Sequence, residues 1–261
     1  MPERPAVVAV DIGGTFTDFV VVRDGELETF KQPSTPRDLA SAMFQGLVDL
    51  GVDEGATIYH GTTVATNAVL ERKGARTALV TTARFADLLE IGRQARPSLY
   101  DLNQTREPAL VPPERRFELD ERVAADGTVL RHLSPEEISR IALAVSASGA
   151  ESIAVCLLFS FLNPDHEMSV ARALERMLPG IPISCSCEVL PLFREYERTS
   201  ATVINAYVRP TMQKYIEGLR SRLGGRLHIM QSSGSLMSPE FASRRPVRAL
   251  LSGPAAGVLG A

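Results

Sequence analysis

The chain has 261 residues, 44% of them hydrophobic and 23% charged, with a formal net charge of −3. That is ordinary for a globular protein of one large or two modest domains, and so mild a charge gives no reason to expect nucleic acid or an anionic membrane as partner. No apolar run approaches the ~20 residues that cross a bilayer, residues 1–5 do not resemble a secretory signal, and three cysteines, an odd number, argue against a disulfide framework and suit a reducing cytoplasm.

Two apolar, β-branched runs on either side of Gly13-Gly14 predict a pair of buried strands. Arg23-Asp24-Gly25 is a turn signal ahead of a third strand over 26–32. Thr35-Pro36 opens a helix in which Leu39, Met43, Leu47 and Leu50 recur at helical spacing and which Gly51 ends. A strand over 57–60, a helix over 67–72 and a strand over 75–82 follow. Three antiparallel strands and then alternating helices and strands is the plan of the ribonuclease H-like fold. The expected class is therefore α/β, with a mixed sheet flanked by helices.

From 85 to 133 the pattern loosens, and the prolines at 97, 112 and 113 mark loop. Ala125-Asp126-Gly127 predicts a hairpin between 116–123 and 128–133, so this stretch reads as an insertion on the sheet. Ser134-Pro135-Glu136-Glu137 then starts a helix with a serine cap, a first-turn proline and a capping-box glutamate. Ile138, Ile141, Ala142 and Val145 form its buried stripe. A strand is expected over 152–161, a helix after Asn163-Pro164, a strand over 181–189, a helix over 195–207 and a second helical stretch from Pro210 to Arg222. A strand over 226–231, a helix from Ser238-Pro239-Glu240 and a strand over 247–251 come next. The small residues of 252–261 read as the opening of a helix with no closing element after it, the mark of a fragment.

The chemistry concentrates in the first turn, Asp11-Ile12-Gly13-Gly14-Thr15-Phe16-Thr17-Asp18. Paired glycines between strands predict backbone conformations closed to other residues. Such a turn presents several N–H groups to one anion, helped here by the hydroxyls of Thr15 and Thr17. Asp11 and Asp18 would repel phosphates unless a divalent cation sat between, and hard oxygen ligands suit magnesium. A plain hairpin with polar turn residues is the simpler alternative, yet two acids and two hydroxyls around paired glycines exceed what a hairpin needs. The turn predicts a seat for a nucleotide's phosphates and Mg2+.

Other candidates carry less. His60-Gly61-Thr62-Thr63 follows a strand and opens a helix, where free N–H groups favour an anion or an activated carbonyl oxygen; N-capping by Thr62 or Thr63 needs no ligand. Asn67 either bonds substrate or braces the turn. Arg93 and Arg96, beside Gln94 in a proline-bounded loop, are equally read as a grip on a carboxylate or cyclic amide and as solvated surface charge. Arg194, Glu195, Glu197 and Arg198 read as structural ion pairs at a helix start. Cys185-Ser186-Cys187 lacks the second pair a metal site requires, His132, His166 and His228 have no acidic partner at metal spacing, and the thiols read as packed.

Asp-x-Gly-Gly-Thr-x-x-Asp resembles the first phosphate motif of the actin-like ATPase superfamily. Taken in order, residues 11–18, 60–67, 92–97, 194–199, 231–234 and 252–257 resemble the hydantoinase/oxoprolinase family, specifically its hydantoinase A type subunit. Members include ATP-dependent N-methylhydantoinases, 5-oxoprolinases and subunits of acetone and acetophenone carboxylases. The resemblance implies that Gly13, Gly14, Thr15 and Thr17 hold the phosphates of ATP. Asp11 would anchor magnesium or orient the attacking oxygen, Asp18 would support it, and His60, Thr62, Thr63 and Asn67 would face the cleft. Family members are much longer and carry a second glycine-rich phosphate turn soon after their Ser-Gly-Pro-Ala segment. Residues 1–180 would then be the N-terminal domain and 181–261 the start of the core domain, with Gly253 and Gly257 at the lobe junction.

The implied function is the N-terminal lobe of an ATP-dependent cyclic amidase that phosphorylates a lactam or hydantoin carbonyl before hydrolysis, inactive alone. The alternatives are a subunit of an ATP-dependent ketone carboxylase and a non-catalytic ATP-gated regulatory module. A small cyclic amide as substrate, a separate hydantoinase B type subunit and an oligomer are implied partners, in the cytoplasm.

Overall fold

The structure is a computed structural model and describes residues 5–35, 39–52, 55–95, 98, 100–101, 103, 107–223 and 226–255. The chain forms two compact units, one from residues 1–73 with 211–261 and the other from 74–210.

The first unit is built on strands β1 (Val7–Ile12), β2 (Phe16–Arg23), β3 (Glu26–Pro33) and β4 (Thr57–Thr62), together with β11 (Leu227–Met230) and β12 (Leu236–Met237). Their spatial order is β12-β11-β4-β1-β2-β3. β1, β2 and β3 run antiparallel, while β4 and β11 lie parallel to β1. This is a ribonuclease H-like mixed sheet, the lobe architecture of the actin-like ATPases. β1 alternates exposed and buried residues along its length, so Val8, Val10 and Ile12 enter the core and Asp11 stands on the other face. Helix α1 (Leu39–Asp49) buries Met43 and Leu47. Helix α2 (Val64–Leu70) follows β4.

The second unit has its own four-stranded parallel sheet, in the order β10-β9-β5-β6. Its strands are β5 (Thr77–Thr82), β6 (Arg116–Leu119), β9 (Ser152–Cys156) and β10 (Ile183–Cys185). Every residue of β5 and β9 is buried, as expected of parallel strands covered on both faces. Helices α4 (Pro135–Ala147) and α5 (Asp165–Met177) bury Ile141, Val145, Val170 and Leu174 against Val80, Ile153 and Val155. Val203 and Ala206 pack with Leu79 and Ala154 in a separate cluster. A short helix α3 (Leu88–Ile91) and a small hairpin, β7 (Arg122–Val123) with β8 (Val129–Arg131), complete the region that reads as irregular in sequence.

Four expectations are corrected. Residues 181–189 are not one strand: β10 stops at Cys185 and a short helix α6 (Ser186–Val189) follows, because Ser186 and the Cys187 N–H bond to the buried Glu167 carboxylate, at 2.5 and 2.9 Å, instead of extending the ladder. Residues 247–251 are not a strand; Pro246–Ala249 is a 3-10 turn that follows helix α8 (Pro239–Arg244). Residues 195–222 are not two helices but one, α7 (Glu195–Leu223), with Pro210 inside it. Pro210 removes one helical N–H, and beside it the Tyr207 carbonyl accepts from the Ala75 N–H at 2.9 Å. The insertion, too, is larger than a loop and hairpin, since the whole of 74–210 intervenes between α2 and β11.

Candidate functional site

Asp11 is the second-to-last residue of β1, paired across the hairpin with Asp18 on β2 and across the parallel ladder with Gly61 on β4. Strand alternation puts Asp11 and Asp18 on one face of the sheet. A Cβ added at Gly61 would sit 2.8 Å from Asp11 Oδ1, and one added at Gly253 would sit 3.1 and 3.2 Å from its two carboxylate oxygens. Asp11 therefore lies against two stretches of bare backbone, contributed by β4 and by the helical residues 252–255. Desolvation by this surrounding, with the Asp18 charge as the smaller cause, raises the Asp11 carboxyl above its ordinary range. Asp18 is itself held by Lys31 Nζ at 3.0 Å.

The turn after Asp11 is open to solvent at Gly14, Thr15 and Phe16. The Gly13 N–H donates to Phe16 O at 2.9 Å, closing the hairpin. Here one sequence expectation fails: neither Gly13 nor Gly14 is among the positive-φ glycines, so neither needs glycine for its dihedrals. Space is tight at Gly13, where an added Cβ would meet Phe16 O at 3.1 Å, whereas at Gly14 no protein atom lies within 4 Å of an added Cβ. Thr17 is fully buried and its hydroxyl donates to Ser34 Oγ at 3.0 Å, while Ser34 in turn donates to Gly13 O at 2.8 Å and, through its N–H, to Thr15 O at 2.9 Å. Ser34 thus braces the turn from the end of β3. Sequence reading missed it, because the residue was absorbed into the approach to Thr35-Pro36.

His60 and Thr62 alternate with Gly61 and so lie on the opposite face of the sheet from Asp11. His60 is fully buried, with Nδ1 3.2 Å from Val10 O and Nε2 2.7 Å from Tyr215 Oη. The neutral ring satisfies both contacts if Nδ1–H donates to the carbonyl and Nε2 accepts from the phenol. Burial lowers its pKa to about 4. Thr62 is buried and exchanges hydrogen bonds with Ser252 Oγ at 3.3 and 3.4 Å. Thr63 donates to Ile12 O at 3.0 Å and accepts from Asn67 Nδ2 at 3.4 Å, tying the start of α2 to the end of β1.

In the other unit Arg93 is bonded to Glu197. Arg96 and Gly257 lie outside the described residues. Arg198 is fully buried and reaches Leu157 O and Ser186 Oγ, both at 2.8 Å, as well as Ser160, so it is a tertiary strut rather than a local ion pair. His166 does acquire an acid in three dimensions: Nδ1 lies 2.7 Å from Glu121 Oε2, a partner too distant in sequence for a spacing rule to find. Cys156 and Cys185 are buried; burial pushes the Cys156 thiol up, and the hydrogen bond with Cys187 together with burial pushes up that of Cys185, so neither is poised to react. Among the described residues no three His, Cys, Asp or Glu side chains group as a metal cage. No described helix is long and apolar enough to cross a membrane.

The fold is that of an actin-like, ribonuclease H-like lobe. Within that class the chain belongs to the hydantoinase/oxoprolinase family: the model of the hydantoinase/oxoprolinase N-terminal region matches residues 7–178, and the hydantoinase/oxoprolinase model matches 198–261. It is 33% identical to caprolactamase subunit alpha of Pseudomonas jessenii, over 98% of this chain and 39% of that one. The crystal structure of the ATP-dependent caprolactamase from that organism superposes with a TM-score of 0.85, covering 96% of this chain and 39% of that one at 32% identity. Nucleotide-free acetone carboxylase gives a TM-score of 0.87 at 26% identity, over 99% of this chain and 40% of that one. The 5-oxoprolinase of Saccharomyces cerevisiae is 30% identical over 97% of this chain and 23% of its own length. The chain thus spans well under half the length of the curated relatives it matches.

Proposed function

We propose that this chain supplies the first-turn half of an ATP site in an ATP-dependent cyclic amidase, which activates a lactam or hydantoin carbonyl by phosphorylation so that water can open the ring. The observation that carries this reading is the seating of Asp11 between Gly61 and Gly253, beside an open glycine turn. At Gly14 the missing side chain has no protein explanation, which is what close approach of a ligand to the backbone requires. Gly13, Gly14 and Thr15 offer the phosphate contacts, and Thr17 serves them through Ser34, which fixes the turn.

Magnesium fits this donor set. Asp11 and Asp18 share a face, and their mutual repulsion is relieved by a cation. Mg2+ is usually held by one or two carboxylates with phosphates and waters, so a three-residue cage is not needed. When bound, the ion supplies neutralisation of phosphate charge. Asp11 would hold it or orient the attacking oxygen, with Asp18, already paired to Lys31, in support. His60, buried and neutral on the other face, contributes by rigidity.

Two of the relatives favour different substrates, a lactam for caprolactamase and a ketone for acetone carboxylase, and both superpose equally well. A ketone carboxylase subunit is therefore the second reading. A B-type partner subunit, a hetero-oligomeric assembly and a cytoplasmic setting belong to the same proposal, as does a boundary between sequence modules near 180, apart from the two compact units. The test is phosphate release from ATP by the complete protein with its partner subunit, offered 5-oxoproline, hydantoin, caprolactam and acetone in turn. Stimulation by a cyclic amide, lost at least about a hundredfold in Asp11→Ala, is expected. Stimulation by acetone alone would select the second reading, and undiminished turnover in Asp11→Ala would remove the first-turn site altogether.

A further inference from the structure

The 74–210 unit carries a groove of about 580 Å³ between α4 and α5, within the range of small-molecule sites. Ile138 and Met177 give it an apolar lining, while His132, His166, Arg172 and Arg176 are its ionisable groups, and no carboxylate lines it. Other arginines of the unit meet acids, as in Arg76–Glu151, Arg116–Glu90 and Arg140–Glu137. The two groove arginines do not. Arg172 reaches only Ser169 Oγ, at 3.4 Å, and the Arg176 side chain makes no hydrogen bond or ion pair among the described residues. His166 is fixed from behind by Glu121 through Nδ1, which leaves Nε2 as the ring nitrogen without a protein partner.

We propose that this groove binds a small organic carboxylate with a hydrocarbon body, its carboxylate on the Arg172 and Arg176 guanidinium groups and its hydrocarbon on Ile138 and Met177. A guanidinium fork matches a carboxylate edge to edge, and two unpaired forks on successive turns of α5 lie on one face. The apolar lining excludes a purely inorganic anion as the preferred occupant. The site lies in a different compact unit from Asp11 and stands whether or not the ATP reading holds.

The test is a titration of the complete protein with hexanoate, followed by calorimetry and by the ¹³C-methyl signal of Met177. Saturable binding that shifts the Met177 methyl is expected, weakened at least about tenfold in the double variant Arg172→Gln/Arg176→Gln, since hydrogen bonds to a charged group carry that much. Both arginines are exposed, so the fold should tolerate the change, and circular dichroism checks it. Asp11→Asn should leave the hexanoate affinity unchanged. No hexanoate binding, equal affinity for hexanol or inorganic phosphate, an unmoved Met177 methyl, or an unaltered affinity in the double variant would each overturn the proposal.

Discussion

At Asp11 two distant glycines act as one device. Neither Gly61 nor Gly253 has an unusual backbone angle; each is glycine because a carboxylate occupies the space a methyl would take. Gly61→Ala should therefore leave a folded protein whose Asp11 carboxylate is displaced, with ATP turnover reduced toward that of Asp11→Ala while the melting temperature changes little. An ATPase assay beside a thermal melt checks it, and wild-type turnover in Gly61→Ala would show that the carboxylate has room to spare. His60 gives a pH prediction. Its folded pKa, about 4, lies below the unfolded value near 6.5, so the unfolded chain takes up the proton first. Stability should be complete above pH 6.5 and fall as pH drops toward 4, by about 2 kcal/mol at pH 5. Urea unfolding of wild type and His60→Gln at pH 7 and 5 measures this, and an equal loss in both would assign it elsewhere. The pattern of acids, glycines and hydroxyls was legible in the sequence; which face each residue takes was not, because strand register decides it, and register placed His60 opposite Asp11.

Among the elements, those with a local signal came through best. The helix start at Ser134-Pro135 is real: Ser134 Oγ accepts from the Glu137 N–H at 3.1 Å, and Ser238 does the same for Phe241 at 3.2 Å. Ser134→Ala should cost about 1 kcal/mol in chemical denaturation; no change would mean that water replaces the cap. The misreadings share a cause. Apolar runs at 181–189 and 247–251 carry strand composition, but Glu167 captures the Ser186 hydroxyl and the Cys187 N–H in one case, and a proline starts a 3-10 turn in the other. Pro210 misleads in the opposite direction. A proline usually marks a helix boundary, yet in α7 the helix continues through it, with Met212, Ile216 and Leu219 fully buried beyond it. Burial outweighs the ~3 kcal/mol an interior proline costs.

For the whole molecule the order of elements was readable and their grouping was not. Strands in the right sequence order do not say which sheet each joins. β9 and β11 both look like continuations of the first sheet, but β9 pairs with β5 in a separate sheet and β11 completes the first. The 74–210 unit begins and ends at one point, where Ala75 N–H meets Tyr207 O at 2.9 Å, and it holds its own buried cluster. Expressed alone, residues 74–210 should fold and melt cooperatively by circular dichroism; a chain without a thermal transition would show that it depends on the rest.

The pinning of Asp11 also sets a clock on synthesis. The acid leaves the ribosome among the first residues, but one of the two walls that hold it, Gly253, emerges long afterwards. Until then the carboxylate lacks one of the two stretches of bare backbone that lie against it in the folded chain. The surroundings of Asp11 are thus complete on this side only once the chain has folded as far as that distant glycine.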